Sequence, residues 1–162
     1  MNNLFIVYGS ETKLLHGLFD FKNSYFIKIY NNRVPKIMKN ACSVNNFEDF
    51  KVVFKEKVSV LKPDKIVFVG AAFIVQHKLF ILENNKNIDD MINTNIINYI
   101  KYVSFLLPYM KKINSGQFIY LSSFRAEVFA RGVSIYSASK AFGEAFFKII
   151  GIENGAFGIY ST

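Results

Sequence analysis

The sequence predicts an α/β fold, a doubly wound, three-layer parallel sheet of about six strands. Three observations carry this expectation. Short apolar runs alternate with longer segments whose apolar residues recur at helical spacing. The apolar runs are continuous, the pattern of strands buried on both faces. Several of them end in glycine or other small residues. Parallel strands need crossovers, and their right-handedness makes the doubly wound sheet the default.

The elements follow in order. "LFIVYG" (4–9) is the first strand and "SYFIKIYNN" (24–32) the second, with asparagines at its borders. A short third strand falls around "NACSVNN" (40–46). Asn46 is placed to cap a helix in which Phe47, Phe50, Phe54, Val58 and Leu61 share a face. Glu48 and Asp49 occupy its first turn, where the helix dipole favours acids, and Pro63 stops it. "DKIVFVGAAF" (64–73) is the fourth strand. A long helix runs from about Ile88 to Met110, closed by Lys111, Lys112 and Gly116, with Pro108 kinking or shortening its end. "QFIYLSS" (117–123) is the fifth strand, and the irregular "FRAEVFARGVS" leads into a helix over "IYSASKAFGEAFFKII" (135–150), which Gly151 ends. "GAFGIY" forms the last strand. In such sheets ligands bind beyond the carboxyl ends of the strands. Those ends are Gly9 and Ser10, Asn31 and Asn32, Gly70 and Ala71, and Ser122 and Ser123.

Composition bounds the function. A chain of 162 residues and 18.6 kDa fits one domain with a substantial core, and 51% hydrophobic content excludes disorder. The longest apolar run, near 66–75, is cut by Gln76, His77 and Lys78 well short of a membrane span. The N-terminal apolar run has no basic region before it and reads as a strand rather than a signal peptide. The single cysteine, Cys42, excludes an internal disulfide and suits the reducing cytoplasm. With only His16 and His77 and no Cys/His cluster, a metal site is not expected. The net charge of +8 is spread along the chain, which speaks against a nucleic-acid face and for attraction of small anionic ligands.

Tyr136 and Lys140, four residues apart, sit at the start of the last helix. In so tyrosine- and lysine-rich a chain roughly one such pair arises by chance. Its neighbours change its weight. Ser123 ends the fifth strand thirteen residues before Tyr136, and Asn95, in "INTNI", lies twenty-eight residues before Ser123. With "YSASKA", the "VGAA" turn after the fourth strand and "VYGSETKLLHG" after the first, the chain resembles the short-chain dehydrogenase/reductase family over nearly its whole length. The thirteen-residue interval resembles the compact members more than the sugar-nucleotide epimerases and dehydratases, although the "H-L-A-A" turn of the latter is also similar to "VGAA".

The resemblance implies a Rossmann-like domain that binds NADP or NAD and moves a hydride between the nicotinamide and a carbonyl or secondary alcohol of a small molecule. It implies Tyr136 as acid/base, Lys140 as its charged partner and ribose clamp, Ser123 as substrate orienter, and Asn95 as the residue that kinks its helix to hold a relay water. A lone tyrosine ionises near pH ~10, and an ammonium one helical turn away stabilises the phenolate. Side by side with these roles stand plainer ones: a turn cap for Ser123, a solvated neighbour for Lys140. Cofactor contacts would fall on Gly9, Ser10, Thr12, Lys13, Arg33, Val44, Gly70 and Ala71, besides Tyr136 and Lys140.

The chain also departs from the family pattern. Aligned on Gly9, the expected T-G-x-x-x-G-x-G reads "YGSETKLL", with Lys13 and Leu15 where glycines let pyrophosphate approach the backbone. Either the turn is enlarged to Gly17 with Lys13 neutralising phosphate, or it no longer binds phosphate. After the second strand comes "IYNNR" without the carboxylate usual for NAD, and Arg33 suits a 2′-phosphate, favouring NADP; a solvated arginine is the alternative. Family members usually continue past the sixth strand with a substrate-covering segment. A truncated form of a longer enzyme, a site completed by another chain, and a non-catalytic Rossmann-like binding or assembly module that has lost cofactor binding all fit. Pairing into a homo-oligomer would use the long and tyrosine-bearing helices, through Ile96, Tyr99, Val103, Phe142, Phe146 and Phe147, although burial against the sheet explains several of these equally well.

Overall fold

In a computed structural model of the chain, residues 2–9, 22–30 and 40–162 are described. Their strands form one six-stranded sheet in the order β3-β2-β1-β4-β5-β6, with every neighbouring pair parallel. The strands are β1 (Asn3–Tyr8), β2 (Ser24–Ile29), β3 (Ala41–Val44), β4 (Lys65–Gly70), β5 (Gly116–Tyr120) and β6 (Ile159–Ser161). Helices α1 (Phe47–Leu61), α2 (Asn85–Ile92), α3 (Asn98–Ile113) and α4 (Ser134–Asn154) connect them. The doubly wound parallel sheet is the expected fold, with the chain reversing direction across the sheet between β1 and β4.

Side chains alternate across the sheet. Leu4, Ile6, Ile27, Ile66, Phe68 and Phe118 join Phe50 and Phe54 of α1, Leu106 of α3 and Phe147 of α4 in the main core. Phe5, Val7, Phe26, Val67 and Val69 form a second cluster on the opposite face. Burial on both faces explains why these strands read as unbroken apolar runs.

Helix α1 starts as expected: Asn46 Oδ1 accepts the Asp49 N–H at 2.8 Å, and Lys62 ends the helix in the left-handed region at φ 44. Three expectations about helix ends need correction. Pro108 does not shorten the long helix, which runs on to Ile113. Pro108 faces solvent, while Leu106 and Met110 are fully buried and Tyr109 packs edge-on against Phe54 at 5.0 Å, so packing holds the last turn. The residue that closes it is Asn114, at φ 50, and Gly116 belongs to β5. Gly151 does not end α4, which continues to Asn154. Its missing Cβ instead admits Ser161 of β6, whose Oγ lies 2.5 Å from where that Cβ would be.

The long helix carries a π-helical turn at Asn93–Ile97, between α2 and α3. Such a turn holds one extra residue, and it is where Asn95 points inward, 1% exposed. Of the residues considered for helix pairing, Tyr99, Val103 and Phe147 are buried in the chain's own core. The large aliphatic side chains that α3 and α4 leave exposed are Ile100, Ile149 and Ile152. Among the described residues no helix is long and apolar enough to cross a membrane.

Candidate functional site

The carboxyl ends of β1 and β4 lie side by side where the strand order reverses, the crevice in which this architecture binds ligands. Gly9 turns the chain there at φ 87, its N–H donating to Ile29 O at 3.0 Å. A Cβ on Gly9 would fall 2.4 Å from Ala72 N and 2.7 Å from the Ala71 carbonyl carbon. No other residue type fits so close a backbone approach in that conformation. Ala71 and Ala72 are buried, and Ala71 N–H donates to Tyr8 O at 2.8 Å. Gly70 makes room for the Tyr99 ring, whose hydroxyl donates to Ala72 O at 2.6 Å. Val44 packs into the main core. Ser10, Thr12, Lys13 and Arg33 lie outside the described residues, as do His16 and Gly17.

From Ala72 the chain runs irregularly past Phe73 and Ile74, and Asn95 holds it. Asn95 Oδ1 accepts the Ile74 N–H at 2.7 Å, and Nδ2 donates to Ile74 O at 2.8 Å. Nδ2 also donates to Ser139 Oγ at 3.1 Å, which in turn donates to Tyr136 O at 2.8 Å. One side chain thus ties together the π-helical turn, the segment after β4 and the first turns of α4. Ser139 lies three residues after Tyr136, on the same helix face, and the "YSAS" spacing was its only trace in the sequence.

Tyr136 and Lys140 sit one turn apart on the buried side of α4, 8% and 1% exposed. Lys140 Nζ lies 5.9 Å from the centre of the Tyr136 ring. It is no solvated neighbour: Nζ donates to Leu121 O at 2.7 Å and lies 4.8 Å from the Phe73 ring and 4.9 Å from the Tyr120 ring. Desolvation lowers its pKa from 10.5 to about 8, against a smaller upward pull from Glu144. The ammonium therefore keeps its charge at neutral pH and loses it in mild alkali.

Ser123 starts a 3₁₀ turn, Phe124–Ala126, and its half-buried Oγ accepts the Arg125 N–H at 3.2 Å. The capping role is thus real, and the hydroxyl proton remains available to donate. No hydrogen bond joins Ser123 to Tyr136 among the described residues. Phe73, Tyr120 and Leu121 were not anticipated. Tyr120 and Leu121 stand just before the Ser-Ser pair, and Phe73 follows the "VGAA" turn, positions that nothing in residue type marked out.

A cavity of about 560 Å³ lies between α4 and β6, lined among others by Tyr120, Ser122, Glu144, Phe147, Lys148 and Tyr160. It adjoins the site through Tyr120, but Asn95, Ser123, Tyr136 and Lys140 do not border it.

A parallel doubly wound sheet in the order β3-β2-β1-β4-β5-β6 places the chain among the Rossmann-like α/β proteins. A family model described as short chain dehydrogenase matches residues 24–160, and the chain belongs to that family. No curated protein matches the sequence. Among solved structures, a short-chain dehydrogenase from Streptomyces avermitilis superposes with a TM-score of 0.83 at 20% identity, covering 99% of this chain and 64% of that one. A short chain dehydrogenase from Leptospira borgpetersenii with bound NAD+ gives 0.81 at 14% identity, covering 98% and 68%. ElxO with NADP bound gives 0.81 at 19% identity, covering 98% and 70%. The chain thus spans less than two thirds of the length of the first of these, and the likeness at such identities is one of fold.

Proposed function

We propose that the chain is a catalytic and cofactor-binding domain of an NAD(P)-dependent oxidoreductase acting on a carbonyl or secondary alcohol of a small molecule. The observation that carries this reading is the Lys140 ammonium, buried one turn from Tyr136 at the carboxyl edge of the sheet. Among the described residues its three N–H groups meet a single acceptor, Leu121 O, so two donors remain for the hydroxyls of a ribose. The family's cofactor fits that arrangement. When bound it supplies the hydride, which no side chain provides.

In this reading Tyr136 Oη gives a proton to the carbonyl oxygen during reduction and takes one from the alcohol during oxidation. Lys140 stabilises the phenolate through its charge. Ser123 donates its free hydroxyl proton to the same substrate oxygen, fixing it against Tyr136. Asn95 positions the 71–77 segment, and the remaining lone pair of its Oδ1 is the place for a relay water. Gly9, Gly70 and Ala71 line the crevice with backbone, where a dinucleotide would lie. Arg33 and Lys13 favour NADP over NAD through their charge. Self-association through the exposed apolar residues of α3 and α4 belongs to the same proposal.

Titrating the protein with NADPH and NADH while following nicotinamide fluorescence tests it. Saturable binding is expected, tighter for NADPH, and no binding at millimolar cofactor would refute it. Tyr136→Phe should then abolish turnover and leave cofactor affinity nearly unchanged. A second reading, a non-catalytic module on the same scaffold, is favoured by one feature: Phe73 lies over Lys140 and leaves it almost no exposure. A folded protein that binds neither NADPH nor NADH would support that reading.

A further inference from the structure

We propose that Phe73 is a gate over Lys140, and that a ligand oxygen reaches the ammonium only after the Phe73 ring swings out. Three rings wall in Nζ: Phe73, Tyr120 and Tyr136, at 4.8, 4.9 and 5.9 Å. With only 1% of Lys140 exposed, one wall must move before anything can touch it.

Two of the walls are fixed. Tyr120 ends β5, stacks on Phe147 at 5.0 Å and meets Tyr99 edge-on at 5.4 Å. Its ring fills the space that Gly143 leaves, 2.2 Å from where a Cβ would stand. Tyr136 is in the first turn of α4 and 8% exposed. Phe73 differs on each count. It is 41% exposed, lies on irregular backbone, and has one ring neighbour among the described residues, Tyr136 at 6.0 Å.

The backbone beside it stays in place, because Asn95 holds both polar groups of Ile74. The movable part is therefore the side chain. Swinging it out gives up a cation–π contact, which an arriving oxygen pair on the ammonium replaces, and the single ring contact to Tyr136 at 6.0 Å, which is lost. In the closed position the ring stands in for those oxygens. The gate rests on the proposed function only for the identity of the admitted ligand, the cofactor ribose; its effect on Lys140 is read without any ligand.

The test is acetylation of the whole protein with acetic anhydride, with the rate at each lysine read by peptide mass spectrometry. Exposed Lys148 serves as the reagent reference and buried Lys28 as the reference for general loosening. Phe73→Ala should speed labelling of Lys140 by about tenfold, the scale of a desolvated cation–π contact, and leave Lys148 and Lys28 unchanged. Phe73→Tyr, which keeps the ring, should label as the wild type does. Equal labelling of Lys140 with and without the ring overturns the gate, and so does a rise that Lys28 shares. In parallel, Phe73→Ala should bind NADPH several-fold more tightly than the wild type. If Lys140 labelling rises but no variant binds NADPH or NADH, the gate stands and the cofactor reading fails.

Discussion

Asn95 clasps Ile74 at two points, accepting its N–H at 2.7 Å and donating to its carbonyl at 2.8 Å across 21 residues of sequence. The pairing resembles a rung of sheet made by a side chain. It fixes the segment that leaves β4 without any regular structure there.

Replacing that clasp has a signed outcome. Asn95→Ala should cost about 1–3 kcal/mol, since it orphans Ile74 N–H and O in a part-buried setting. Amide exchange at Ile74 should accelerate with it. Asn95→Asp keeps the acceptor for Ile74 N–H but turns an oxygen towards Ile74 O. It should therefore be more stable in mild acid, where the carboxyl can donate, than at pH 7. Equilibrium unfolding at two pH values decides this, and a variant indifferent to pH would contradict the clasp.

Gly9 combines a positive φ with backbone contact. Gly9→Ala must relieve a Cβ standing 2.4 Å from Ala72 N, and no flexible side chain is there to yield. A loss of roughly 3 kcal/mol or more is expected. Urea unfolding would measure it, and a loss below about 1 kcal/mol would mean the turn rearranges easily.

Lys140 gives a pH-dependent term of known sign. Its folded pKa, about 8, lies below the unfolded 10.5. Between these values the unfolded chain holds a proton that the native one has released, so stability from this group rises with pH. Below about 8 both forms are charged and the burial penalty is complete. Comparing the wild type with Lys140→Met at pH 7.5 and 9.5, the difference should shift towards the wild type by about 1–2 kcal/mol. A constant difference would mean that the ammonium is not desolvated.

Tyrosines act in the opposite sense at higher pH. Burial raises the pKa of Tyr99, Tyr102 and Tyr120 above the ordinary 10.0. Their contribution is present below about pH 10 and is lost as pH rises beyond it, because the unfolded chain ionises first. Unfolding above pH 10 should therefore coincide with release of these phenols, followed by absorbance near 295 nm. Tyr102→Phe should move the transition to higher pH.

Much of the fold was legible because local rules and tertiary demands agree. The apolar runs became β1, β2, β4 and β5, and Asn46 capped α1 as its side chain suggested. The helix ends misled where tertiary contacts override local preference. Pro108 is tolerated inside α3 because the residues beside it are buried, and Gly151 stays helical because β6 uses the space its side chain lacks.

The strand and helix periods of the sequence alone determined the parallel sheet and its carboxyl edge, while it was the family resemblance, not periodicity, that singled out Asn95, Ser123, Tyr136 and Lys140 as a set. Only the tertiary structure decided what surrounds them. That Lys140 is enclosed by Phe73 and Tyr120 and that Asn95 spends its amide on Ile74 and Ser139 are long-range facts. Such contacts join residues 20 to 70 or so positions apart, and no periodicity in a chain records them. They arise when separate elements close on one another, and it is that closure which sets the charge, access and hydrogen bonding of each group.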